Sequence, residues 1–257
     1  MAQQPIKYAR PYPLPVVSID TGRSGKWKYS PNFINLTPPA ASVILTGKRR
    51  EDYVIAEKQT RVVHKPGATV WHHVYDYSLG TGACTMQLVR TNVHQETIPH
   101  AGGCVMYAEH HGTPYRISHN SSISEAQEYN TNPLSFSYDK GEIQEFSGNT
   151  GIRIAEAVQM LYSKDYEFSR HGLEKLAERD MCIDAVLPLT AEESETSVES
   201  IYSLMGKLRT PHEELTPIAL DAYGNIFLSD GFGNLFFYDH ETDDCFPTDI
   251  NLKDIIE

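Results

Sequence analysis

An α+β fold in two units, a strand-strand-helix unit followed by an α+β unit with an antiparallel sheet, is predicted by three observations. Residues 68–103 run as strand, loop, strand and helix, and they carry His72, His73, His94 and His100. Residues 215–241 alternate β-rich runs with two glycine-containing turns, the pattern of a three-stranded antiparallel meander. Charge also divides: residues 1–116 hold 13 Lys+Arg and 7 Asp+Glu (13 − 7 = +6), and residues 117–257 hold 9 and 27 (9 − 27 = −18), together the net −12. The expected units are therefore 1–116 and 117–257.

A length of 257 residues suits one large domain or two ordinary ones, and 40% hydrophobic with 22% charged residues fits a globular chain. No apolar run approaches the roughly 20 residues that span a bilayer, so no membrane partner is expected. Met1-Ala2-Gln3-Gln4-Pro5 lacks the basic region and apolar core of a signal peptide. A cytoplasmic location is expected, with export by a specialised bacterial system left open. Cys84, Cys104, Cys182 and Cys245 form no C-x-x-C pair, which favours free thiols over a cysteine zinc site. The basic half carries seven of the eleven histidines and suggests a polyanion partner. The acidic half would repel nucleic acid but could embrace the basic half.

The first forty residues, with Pro11, Pro13, Pro15, Pro31, Pro38 and Pro39, read as an extended lead-in. Lys26-Trp27-Lys28-Tyr29 could touch nucleic acid by charge and stacking, or simply form a surface strand. Residues 41–45 read as a buried strand and 48–59 as a helix. Its opening triplet, Lys48-Arg49-Arg50, is either a solvated helix face or a phosphate contact; the nearby histidines favour substrate contact. After the Pro66-Gly67 turn, Ala68 to Tyr75 and Cys84 to Val89 form the two strands. Thr91 or Asn92 can cap a helix carrying His94, which Pro99 and Gly102-Gly103 stop or redirect.

Adjacent residues on a strand point to opposite faces, so His72 and His73 are suited to different tasks. One imidazole can bind a metal while its neighbour accepts a proton from water. Histidines from the following helix would complete the ligand set for a divalent ion, giving Lewis-acid help at a phosphodiester oxygen and at the departing alkoxide.

The residues Leu45 to Tyr53, Trp71-His72-His73, Cys84 to Val89 and His94…His100-Ala101-Gly102-Gly103 resemble the WHH family. These are nucleases of the HNH/Endonuclease VII superfamily, common as toxin modules in bacterial polymorphic toxins. The likeness covers about residues 35–116, including Tyr107 to Gly112. It implies a ββα-metal fold and cleavage of DNA with a divalent metal ion, Mg²⁺, Zn²⁺ or another transition metal. It further implies His73 as general base, His72 as metal ligand or substrate orienter, and His94 and His100 as helix-side ligands. The two tasks of the His72/His73 pair stay interchangeable at this level. Asp52 and Arg50 also match family positions, with bracing the hairpin or holding phosphate as their conceivable roles.

Downstream, Ser118 to Ser147 reads as a polar linker, Gly151 to Leu161 and His171 to Arg179 as helices, Cys182 to Leu187 as a strand, and Glu192 to Leu208 as a third helix. His240, between Asp239 and Glu241 and with no second histidine nearby in sequence, is expected to be structural. The pattern Pro217-Ile218-Ala219…Asp221…Gly224-Asn225…Asp239-His240-Glu241 resembles the SUKH superfamily of immunity proteins over about residues 196–245. The apolar helix and Asn-Gly turn that mark the first half of that fold are not evident in 117–195. SUKH proteins bind toxin nucleases without chemistry of their own, and the acidic half suits occlusion of a basic face.

Together these resemblances imply a nuclease toxin module restrained by an immunity-like domain, the contact being made in cis or between chains. The alternative is a non-catalytic immunity or decoy protein that neutralises a toxin nuclease.

Overall fold

The computed structural model describes residues 38–98, 100–116, 136–163, 166–205, 214–241 and 244–257. The proline-rich lead-in with Lys26-Trp27-Lys28-Tyr29, then Pro99, most of the polar linker and the end of the expected third helix lie outside the described residues.

The arrangement is α+β with two antiparallel sheets. The first has the order β1-β3-β2, from β1 (Ala40–Ile44), β2 (Thr69–His73) and β3 (Ala83–Arg90). Threonine, valine and tryptophan open β2, residue types that suit a pleated, half-buried surface. Register is set by Val70↔Val89, Trp71↔Leu88, His72↔Gln87 and His73↔Met86. Strand alternation then puts Val70 and His72 on one face and Trp71 and His73 on the other. The helix α1 (Arg49–Thr60) joins β1 to β2, and Glu51 and Asp52 lie in its first turn, where negative charge complements the helix dipole.

β3 runs directly into α2 (Thr91–Gln95). Neither Thr91 nor Asn92 caps it: Arg90 is the N-cap, without a side-chain bond. The Thr91 amide instead donates to Ala68 O at 2.9 Å, so sheet pairing supplies what a cap would have supplied. Gly102 and Gly103 introduce a further helix, α3 (Gly103–His111), that the sequence reading did not separate. Both glycines are required by space. A Cβ on Gly102 would stand 2.6 Å from His73 O, and one on Gly103 would stand 2.4 Å from Cys84 Sγ. The helix start can therefore press onto the hairpin.

The second sheet has five strands in the order β4-β5-β6-β7-β8. The expected meander is present as β5 (Thr216–Leu220), β6 (Ile226–Ser229) and β7 (Asn234–Asp239). Two strands flank it. β4 (Ala185–Val186) is the short remainder of the strand expected over 182–187, and β8 (Asp244–Asn251) was not anticipated. Pro247 and the acidic Asp244 and Asp249 disguise β8, although Pro247 is tolerated where the β7–β8 register shifts, between Asn234 and Phe236. Two turns share one design. Asp221 Oδ1 accepts from the Tyr223 and Asn225 amides around Gly224 (φ +89), and Asp230 Oδ1 accepts from the Phe232 and Asn234 amides around Gly233 (φ +86). Asp-x-x-Gly-Asn is thus a repeated turn that needs glycine at its left-handed position.

The helices between the sheets differ from expectation in three places. α4 (Lys140–Thr150) occupies the end of the supposed linker, fixed by a capping box between Asp139 and Glu142. Gly151 (φ 71) ends α4 rather than starting a helix, and helical turns resume only at α5 (Glu156–Gln159) and a 3-10 turn, Met160–Tyr162. α6 (Arg170–Glu178) matches its expected span, whereas α7 (Val198–Met205) starts six residues after Glu192. α8 (Leu252–Ile255) closes the chain against α6.

Buried apolar side chains of both sheets join one cluster, from Val43, Trp71 and Met86 to Ile226, Phe227 and Ile250. Tyr53 of α1 is the polar stitch across it. Its hydroxyl accepts from the Trp71 amide at 3.0 Å and donates to Ala222 O at 2.8 Å. Either group, buried without that hydroxyl, would cost about 1–3 kcal/mol.

Candidate metal and general-base centre

Chemistry gathers where β2, α2 and the turns before β6 and after β7 converge. The His72 ring lies 5.2 Å from His94 and 5.0 Å from His100, and the latter two are 4.9 Å apart, centroid to centroid. One nitrogen from each of His72, His94 and His100 falls within 4.8 Å of the others. α2 carries His94, and its C-terminal turn sets His100: the Thr97 amide and hydroxyl both bond to His94 O, at 3.0 and 2.7 Å. His100 Nδ1 then donates to Thr97 O at 3.1 Å, which leaves Nε2 as the lone-pair nitrogen.

His240 enters this group from the other sheet. Its ring is 4.8 Å from His94 and 5.0 Å from His100, and His240 O accepts from the His100 amide at 3.2 Å. Asn225 orients it. Asn225 Nδ2 donates to Asp221 Oδ2 at 2.7 Å, so Oδ1 faces His240 and takes the proton of Nδ1 at 2.8 Å. Gln95 Nε2 also donates to Gly224 O at 3.3 Å, holding the same turn on α2.

His73 belongs to a second group on the opposite face. Its Nε2 lies 3.3 Å from Asp52 Oδ2. Asp52 also accepts from the Thr46 amide and hydroxyl, each at 3.0 Å, and from the Tyr115 hydroxyl. Glu241 and Cys104 complete this side: one donor atom each from His73, Cys104 and Glu241 lies within 4.8 Å of the others. Arg49 Nη2 reaches Glu241 Oε2 at 2.7 Å. Of the basic triplet, then, Arg49 is buried in the site, while Lys48 makes a partly exposed pair with Glu51 at 2.6 Å and Arg50 is half-buried.

Electrostatics follow burial. Burial pushes His94 well below the usual imidazole range, with His100, His72 and His73 adding to the effect. Burial likewise lowers His240, helped by His94 and His100, and lowers His100 to about 4 against the opposing pull of Thr97 O and Glu241. Burial would raise Glu241, but Arg49 and His73 outweigh it and keep its carboxyl below the usual range. Burial lifts Asp221 to about 7 despite its N–H donors.

A metal fits the first group. Burial keeps His94 and His100 neutral, as ligands must be, and His94 Nδ1 is buried without a hydrogen-bond partner. His100 has the outer hydrogen bond that orients a ligating histidine.

A pH dependence follows for chelator-treated protein. An unfolded histidine titrates near 6.5, so between 6.5 and 4 the unfolded chain holds a proton that folded His100 refuses. Stability is then expected to fall as pH drops through that window, by roughly 3 kcal/mol for His100 alone. Urea midpoints at pH 7 and pH 5 check this, and His100→Gln should flatten the slope.

The sequence placed His72, His73, His94 and His100 in one site; the fold groups His72, His94 and His100 and sets His73 with Asp52 on the opposite face of β2. It assigned His240 a structural role, and the fold sets that ring against two of the others. Glu241, Cys104 and Asn225 were not foreseen. Only the Asp-His-Glu triplet signalled the first of these, and nothing local could tie residue 240 to residue 94.

Residues 63–110 match a family model described as a nuclease of the HNH/ENDO VII superfamily with conserved WHH. The match begins before β2 and ends within α3, so it contains Trp71-His72-His73, His94 and His100. It points to a hydrolase acting on nucleic acid, and nucleases of that superfamily use divalent metals. No curated protein and no solved structure matches the chain. Among the described residues, no helix is long and apolar enough to cross a membrane.

Proposed function

We propose that the chain is a metal-dependent DNA endonuclease of toxin type, restrained by its own C-terminal, SUKH-like part. The observation that carries this reading is the division of labour across β2. His72 joins His94 and His100 in a buried imidazole set, while His73 is backed by the Asp52 carboxylate on the other face. His72, His94 and His100 would hold the cation, which when bound supplies Lewis-acid stabilisation of charge on a phosphodiester. His73 takes the proton of the attacking water. Asp52, tied down by Thr46 and Tyr115, orients the ring and stabilises its charged form. Arg49 offers a guanidinium for phosphate, with Lys48 and Arg50 beside it nearer the surface.

Restraint is supported by burial. Asp52, His72, His73, His94, His100 and His240 are each 5% exposed or less, and Ala222, Gly224, His240 and Glu241 of the C-terminal part make contacts at the centre's edge, with Tyr53, Gln95, His94 and Arg49. The same observation favours the second reading, a non-catalytic immunity or decoy protein, if the cover never leaves. Plasmid nicking separates the two. The full chain and residues 1–116 are assayed with Mg²⁺, Mn²⁺, Co²⁺ or Zn²⁺. The first reading expects cleavage that a chelator abolishes and that is faster without residues 117–257. Folded protein inert with every ion would support the second.

A further inference from the structure

A buried ion pair sits beside the general base. Arg49 opens α1 in the first sheet unit, and Glu241 follows β7 in the second, 192 residues away. Their side chains are 4% and 5% exposed, and Nη2 to Oε2 measures 2.7 Å. The Glu241 carboxylate also lies within 4.8 Å of a His73 ring nitrogen. Its other oxygen, Oε1, lies close over Gly102, where a Cβ would stand only 3.2 Å away. The Glu241 amide donates to Asp239 Oδ1 at 3.0 Å, which holds the residue in its turn.

Pairing a buried charge in this way is rarely the cheapest means of stabilising a fold, since desolvation offsets most of the Coulomb gain. A carboxylate does, however, share with a phosphodiester a single negative charge spread over two terminal oxygens. A guanidinium takes both anions in the same forked geometry. The preceding residue, His240, meanwhile lies against His94 and His100. Residues 240 and 241 therefore reach both sides of the centre together, the imidazole at the histidine set and the anion at Arg49 and His73.

We propose that Glu241 occupies the phosphodiester subsite as an internal mimic of the scissile phosphate, held by Arg49 in front of His73. This rests on the reading of the site as a nuclease centre. Arg49 is then a substrate contact that becomes available only when Glu241 leaves. Restraint works through occupancy of one anion subsite rather than through the net charge of the acidic half.

The test uses the full chain with inorganic phosphate as probe. Glu241→Ala empties the subsite and leaves Arg49 charged. Phosphate is expected to bind this variant at least about tenfold more tightly than wild type, and to raise its Tm by about 3 °C. The double variant Arg49→Ala/Glu241→Ala should lose that response. Glu241→Gln keeps the side-chain volume and carries the same titration should the alanine variant fail to fold. In plasmid nicking, Glu241→Gln should cut about tenfold faster than wild type.

Folded Glu241 variants that ignore phosphate would overturn the proposal, whatever the nuclease assay gives. So would Glu241→Gln that cuts more slowly at unchanged metal content, because Glu241 would then complete the catalytic group rather than block it. Phosphate binding that depends on Arg49, in protein that never cuts DNA, would support the anion subsite and reject the nuclease reading.

Discussion

His73→Ala is expected to lower plasmid cleavage by about 10²–10⁴-fold, the usual contribution of a positioned general base. The effect should be on turnover, with metal content unchanged. His73 stands with Asp52 on the far face of β2 from the imidazole set, so removing it leaves His72, His94 and His100 in place. Added imidazole should return part of the activity, since the cavity left beside Asp52 accepts a ring of that size. A merely structural His73 would show neither the selective loss of turnover nor the rescue. Full residual activity would move the base to another residue, His72 first.

The second large effect is expected at His94. Replacing it by alanine removes a buried imidazole whose Nδ1 has no hydrogen-bond partner. Bound divalent metal should fall from about one equivalent per chain to none in the micromolar range, and cleavage should fall with it. His72→Ala and His100→Ala should behave alike, because all three donors lie within 4.8 Å of one another. Metal analysis after gel filtration checks this directly. Retention of a full equivalent by all three variants would contradict the assignment.

Much of the first sheet unit was legible because its signals are local. Strand alternation, turn glycines and four histidines within thirty residues lie in one stretch, and pairing β2 with β3 delivers the strand histidines to the site. The C-terminal meander was legible for the same reason, through the two Asp-x-x-Gly-Asn turns. Elements with mixed signals were misread. The polar, weakly patterned run up to Ser147 made the start of α4 look like linker, while Asp244, Pro247 and Asp249 hid β8.

What could not be read was the joining of the two stretches. Tyr53 with Ala222, Arg49 with Glu241 and His94 with His240 are contacts of more than 140 residues' separation, invisible to any periodicity. Charge asymmetry suggested that the halves meet, but not how. The contacts over the site are a buried pair, neutral hydrogen bonds and packed rings, and Arg90 with Glu195 is an exposed pair of little energetic weight. High salt is thus a poor means of opening this site, whereas a change at one buried residue should be an effective one.

On the proposed reading, a divalent cation belongs to His72, His94 and His100, with His73 and Asp52 set apart as the base. An anomalous-difference map from crystals grown with Mn²⁺ or Zn²⁺ tests it most directly. One peak is expected about 2.0–2.2 Å from a nitrogen of each of those three histidines. A peak among His73, Cys104 and Glu241 instead, with none at the three-histidine group, would contradict it.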